Sequence, residues 1–152
     1  MIRHKKQLTQ PDMPDATKVR PSDWNDTHTS PAWVVPMVNA SVTWTNMPSA
    51  ATEFTGLPRT RYDLTSADDV RLIVCVGVAG AASSTLRIQY STNQSAWVDL
   101  TPTVAVNATG VRESAWAAVP AGAKADVFLR ILGQSGDGTV DPQFRLVQLQ
   151  AR

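Results

Sequence analysis

The sequence predicts an all-β protein, an antiparallel β-sandwich of jelly-roll-like form preceded by an extended N-terminal arm. Three observations carry this. The composition holds 17 Val, 16 Thr and 4 Ile against 2 Glu and 4 Lys, a mixture that favours strands and starves helices. Apolar residues alternate with period 2 in short runs separated by Gly, Pro, Asn and Asp clusters, with no helical window. Residues 1–32 differ in kind from residues 33–152: they hold 4 of the 10 Pro, no Gly and only 8 apolar residues. At 43% hydrophobic and 18% charged, 152 residues supply one core of ordinary size.

Residues 1–32 show no sustained period of either kind and carry mixed charge. Such a segment cannot bury enough surface to offset roughly 1–2 kcal/mol per residue of backbone ordering. One local element is expected, a single helical turn at 22–26, where Pro21 precedes Ser22 as N-cap and the acids Asp23 and Asp26 follow. The rest is extended, held by a foreign surface or folded back over its own domain.

Residues 33–152 read as a series of strands. Trp33 to Trp44 is interrupted by Pro36 and ends in the alternation Val38, Ala40, Val42, Trp44. Thr60 to Leu64 sets Tyr62 and Leu64 on one face. Val70 to Val78 is apolar at every second position and carries Arg71, Ile73 and Cys75 on its other face, as a central, doubly covered strand does. Thr85 to Ser91 alternates cleanly, Leu86, Ile88 and Tyr90 in, Arg87 and Gln89 out. Ala96 to Leu100, Val111 to Val119, Asp126 to Leu132 and Phe144 to Gln150 complete the set. Seven or eight strands with short turns argue for a sandwich, with a barrel as the other arrangement.

Composition also bears on function. Fourteen basic against 13 acidic side chains leave a net charge of +1, which gives no drive toward nucleic acid or anionic membrane. The longest apolar run, Leu72 to Ala82, is too short to cross a bilayer. No signal peptide follows the basic start, so the chain is expected to be made and kept in a cytoplasm, or assembled there into something larger. One Cys and two His argue against an internal disulfide and against a Cys or His metal site, and no cofactor is expected.

Catalytic constellations are scarce. The only available base, His28, lies in the arm near Asp23 and Asp26. Gly133-Gln134-Ser135-Gly136 departs from nucleophile-elbow spacing, and Cys75 is flanked by Val and Ile, where a thiol acts as a small hydrophobe. Glu53 and Glu113 are the only glutamates, and most Asp fall in turns. The run 133–141 offers oxygen ligands suited to calcium without EF-hand spacing, and reads otherwise as a hairpin loop. No catalytic residue is assigned and no enzyme is expected.

The aromatics remain. Trp97 and Trp116 fall on the opposite parity to the aliphatic residues of their strands, and so face outward or into a second packed layer. Outward, they are candidate glycan contacts. Trp24 sits in a segment with no core of its own, as an interface anchor does. Its other reading is packing against its own sandwich.

The stretch from Lys18 to His28, with its core Ser22-Asp23-Trp24-Asn25, is similar to a segment near the N-terminus of many tailed-bacteriophage structural proteins. There a pattern close to Lys-Val-x-x-Ser-Asp-Trp-Asn-x-x-His precedes a tail-fibre, spike or head-decoration body. The match covers 11 of 152 residues. This resemblance implies a virion structural protein, assembled in the bacterial host cytoplasm. Its arm docks on major capsid or tail proteins through Ser22, Asp23, Trp24, Asn25 and His28, and its sandwich is displayed on the particle as a homo-oligomer. Head decoration or head fibre is favoured over tail fibre, because the chain is short and has no long fibrous repeat. The alternative is a carbohydrate-binding module or receptor-binding domain that recognises host glycans through Trp97 and Trp116.

Overall fold

Alternation along four long runs, broken once in the last of them, gives four long strands, and these form the centre of two packed sheets. The computed structural model describes residues 33–38, 40–55 and 59–152. The predicted arm lies outside them. In chain order the strands are β1 (Trp33–Val38), β2 (Val42–Thr43), β3 (Thr52–Glu53), β4 (Thr60–Asp63), β5 (Asp69–Val78), β6 (Thr85–Ser91), β7 (Val98–Asp99), β8 (Val104–Ala105), β9 (Gly110–Glu113), β10 (Ala117–Ala118), β11 (Asp126–Gln134) and β12 (Gln143–Ala151). A short 3-10 turn, Ala121–Ala123, precedes β11.

All pairings are antiparallel. In one sheet β12 and β5 are central, flanked by β1 and β2 on one side and β9 and β10 on the other. In the second, β11 and β6 are central, flanked by β3 and β4 and by β7 and β8. Each flanking pair acts as one interrupted strand. Counted so, eight strands run in the orders 1-8-3-6 and 2-7-4-5, a long hairpin wrapped into two sheets. That is the jelly-roll arrangement, and the barrel alternative does not apply.

The core lies between the sheets. β5 contributes Val70, Leu72, Val74 and Val76, and β12 contributes Phe144, Val147, Leu149 and Ala151. Opposite them stand Leu86, Ile88 and Tyr90 of β6 with Val127, Leu129 and Ile131 of β11. Trp44 closes one end, 5% exposed and stacked on Phe54 with centroids 4.4 Å apart. Gly133 continues the inward parity of β11 with no side chain. A Cβ there would lie 2.6 Å from both Leu86 Cδ2 and Trp44 Cζ3 and 2.7 Å from Met47 Cε.

Two irregularities re-aim side chains. In β12 the register with β5 shifts on either side of Phe144, so Phe144 and Val147 face inward although they differ in parity. The predicted strand from Val111 to Val119 is broken. Glu113 pairs with Ile73 and Ala117 with Val70, leaving three residues, 114–116, opposite two. The extra residue is accommodated because Ser114 replaces a ladder carbonyl with its hydroxyl. Leu72 N–H donates to Ser114 Oγ at 3.0 Å, and Ser114 N–H donates to Leu72 O at 2.9 Å. Ser114→Ala leaves the buried Leu72 N–H without its acceptor, and is expected to lower stability by about 1–2 kcal/mol in urea unfolding. Retention of full stability would show that the hydroxyl contributes nothing to holding the bulge.

The segment 135–142 joins β11 to β12 across the two sheets, so it is a crossover, not the hairpin loop expected. Its oxygens are turned onto the protein's own backbone. Ser135 Oγ accepts from Gly138 N–H at 3.1 Å, Asp137 Oδ1 accepts from Thr139 N–H at 2.9 Å, and Asp141 Oδ1 accepts from Asn46 N–H at 2.6 Å. The Thr139 backbone bond, with its hydroxyl and smaller contributions from Val140 and Ser135, holds the Asp137 carboxyl below its ordinary range.

Candidate functional site

Of the residues singled out from sequence, Ser22, Asp23, Trp24, Asn25 and His28 lie outside the described residues. Trp97 and Trp116 lie within them, each half-buried on the outward face of a different sheet. They are therefore on opposite sides of the sandwich and do not form one stacking platform. Trp44 and Tyr90 belong to the core.

Trp97 is placed by the turn between β6 and β7. Asn93 Oδ1 accepts from the N–H groups of Ser95 at 2.9 Å and Ala96 at 3.2 Å, and Ser91 Oγ accepts from Gln94 N–H at 2.8 Å. Gln94 takes a positive φ of 63°. The Trp97 indole N–H then donates back to Gln94 O at 3.1 Å. Two guanidinium groups cover the ring, Arg130 Cζ 4.3 Å and Arg59 Cζ 5.0 Å from its centroid. Each such contact is worth about 0.5–2 kcal/mol, depending on exposure.

Both arginines converge on Glu53. Arg59 donates to its two carboxylate oxygens at 2.9 and 3.0 Å, and Arg130 Nη1 donates to Oε2 at 2.9 Å. Arg130 also donates twice to Gln89 Oε1, and Gln89 Nε2 donates to Asp99 Oδ1 at 2.7 Å. Arg87 Nε stands 2.8 Å from that same oxygen. The Arg59 hydrogen bonds, aided by Arg130 and opposed by burial, hold the Glu53 carboxyl below its ordinary range. The network ties β3, β11, β6 and β7 together across the outside of the sheet.

Trp116 is placed by the Ser114 bulge. Arg152 Cζ lies 4.4 Å and Arg71 Cζ 4.7 Å from its centroid. Arg71 donates to Gln150 Oε1 at 2.8 Å and to Glu113 Oε2 at 2.9 Å, while Arg152 pairs with Asp69 at 3.0 Å. The outward position expected of Trp116 stands, but not for the parity reason. Val111 and Val119 share a parity, yet the bulge sends Val111 outward, 68% exposed, and Val119 inward. The two Ser-Ala-Trp triplets are likewise unlike each other: Ser114 is a buried ladder substitute, whereas Ser95 is an exposed turn residue.

Sequence reasoning missed the four arginines that hold these rings. Arg71 and Arg130 have the alternating parity of outward strand positions. Arg59 and Arg152 lie outside any periodic run and carried no signal. The clusters supply cations, carboxylates and aromatic faces, each engaged by a neighbour. Both histidines, His4 and His28, lie outside the described residues. Among the described residues no three His, Cys, Asp or Glu side chains gather in a way that would hold a metal ion. No protein-family model matches the chain, and no curated protein or solved structure is significantly similar to it.

Proposed function

We propose that the chain is a non-enzymatic structural component of a bacteriophage particle, a surface decoration or fibre protein docked on capsid or tail through residues 1–32. The observation that carries this reading is a contrast within one chain. Residues 1–32 lack the apolar residues to build a core yet include Trp24 within the phage-like stretch from Lys18 to His28. Residues 33–152, by contrast, supply a closed jelly roll whose Trp–Arg clusters are spent on fastening its own strands. A sandwich of this kind is a body to be displayed, and an uncored arm bearing a large aromatic is suited to an anchoring groove on another protein. Trp24 fills the pocket, and the Ser22–Asp26 turn sets the angle of entry.

The test is incorporation into particles. Particles assembled with the full chain are expected to carry it, and particles assembled with a chain lacking residues 1–32 are expected to lack it. Trp24→Ala in the full chain should reduce incorporation by about tenfold or more, as loss of an aromatic hot spot does. Normal incorporation of the truncated chain would overturn the docking role.

A further inference from the structure

The connections between the eight strands of the jelly roll fall at two ends of the sandwich. At one end, Trp33 of β1 stands opposite Ala151 of β12, which stands opposite Val70 of β5. Asp63 of β4 stands opposite Asp126 of β11 at the same end. Segments 64–68, 92–97 and 119–125 turn there. Asp68 N–H donates to Arg152 O at 2.7 Å, Leu64 N–H to Ala125 O at 3.0 Å and Val119 N–H to Asp68 O at 2.9 Å. At the other end turn 44–51, 79–84, 106–109 and 135–142.

The two ends differ in charge. The four loops of the second carry only Asp137 and Asp141, both turned onto backbone N–H groups. They are fastened to one another. Gly80 N–H donates to Val106 O and Val106 N–H to Ser84 O, both at 2.9 Å, and Ser135 N–H donates to Pro48 O at 2.7 Å. The Trp33 end instead presents ion pairs in solvent, Lys124–Asp68 at 2.9 Å and Arg152–Asp69 at 3.0 Å, with the Asp68 side chain 84% exposed. Exposed pairs contribute little to folding. They are free to re-pair with charges on another protein, where such groups fix register.

Chain length decides which end meets a partner. Only residues 29–32 separate the docking segment proposed above, 22–28, from β1. The five Cα steps from His28 to Trp33 span at most about 18 Å. β5, ten residues long, runs about 30 Å from one end of the sandwich to the other. A sandwich standing on its four-loop end would hold Trp33 farther from the docked segment than the chain reaches. The Trp33 end is within reach. We propose that this end, through Asp68, Asp69, Lys124 and Arg152, seats on the same virion protein that holds residues 22–28, on a surface bearing charges of both signs, and that the four-loop end is the displayed tip.

This inference rests on the docking role of residues 1–32, and its test is read on full chains already incorporated into particles. A cysteine is placed at Ala121 or at Ala50, exposed positions at the two ends, and maleimide labelling is followed peptide by peptide so that Cys75 does not contribute. Ala121→Cys should react at least about tenfold more slowly in particles than in the free chain, as residues do in a contact from which water is excluded. Ala50→Cys should react equally fast in both. Exchanging one pair, Asp68→Lys with Lys124→Asp, keeps both charges within the chain but should lower incorporation by about tenfold or more, because like charges then face the partner. Equal labelling of Ala121→Cys in the two states, slowed labelling of Ala50→Cys, or undiminished incorporation of the exchanged chain would overturn this proposal while leaving the docking role intact. Normal incorporation without residues 1–32, or none of the full chain, would overturn both.

Discussion

Gly133→Val is expected to abolish cooperative folding or to cost more than about 3 kcal/mol, and Gly133→Ala to cost about 1–3 kcal/mol. The position lies inside the sandwich between the end of β6 and the Trp44 ring. A single added carbon would sit 2.6 Å from two core atoms and 2.7 Å from a third, where real contacts begin near 3.5 Å. Met47 Cε ends a flexible side chain and can withdraw. Trp44 Cζ3 belongs to a rigid ring already stacked on Phe54, so relief there requires moving two aromatics. Urea unfolding of the alanine variant is the measurement, read at unchanged m. In a Trp44→Phe background, which lacks the outer ring carbons, the same substitution should cost less, with a coupling of about 0.5–3 kcal/mol. An alanine variant as stable as the parent would mean that the inward packing at Gly133 is looser than these distances.

The four central strands were legible because burial on one face imposes period 2, which is broken only where β12 shifts register at Phe144. β6 falls at Thr85–Ser91 as expected, and β5 and β11 differ from expectation by a residue or two at their ends. Edge segments were legible less well. β3 and β8 are two residues each and went unpredicted, since two residues cannot show a period. Pro36 looked like an interruption, but it lies within β1, an edge strand, beside a register shift between Pro36 and Val38, the setting in which a sheet tolerates proline. The run from Val111 to Val119 looked continuous because a bulge is invisible to alternation when its extra residue is a small serine. The Trp–Arg clusters could not be read at all. Arg59 and Trp97 are brought together by β4, β11, β6 and β7 in turn, a consequence of sheet order and not of spacing along the chain.

That sheet order makes Glu53 the second position of large expected effect. Among the described residues it is the only acid paired with both Arg59 and Arg130, and its side chain is 16% exposed. Glu53→Ala removes three charge-assisted hydrogen bonds and leaves Arg130 half-buried beneath Trp97. The expected loss is about 2–3 kcal/mol at neutral pH, below the cost of a wholly buried pair because solvent reaches the Arg59 side. Glu53→Gln separates charge from shape. Because Arg59 and Arg130 hold the folded carboxyl below its ordinary range, ionised Glu53 contributes its stability above the unfolded-state pKa, about 4.3, and loses it as pH falls through the lower folded value. The stability difference between parent and Glu53→Gln should therefore be largest and flat near neutrality. It should narrow in the acid limb and level off once both forms of the parent are protonated. A difference independent of pH would assign the network's contribution to packing of the guanidinium groups on Trp97 and remove the carboxylate from it.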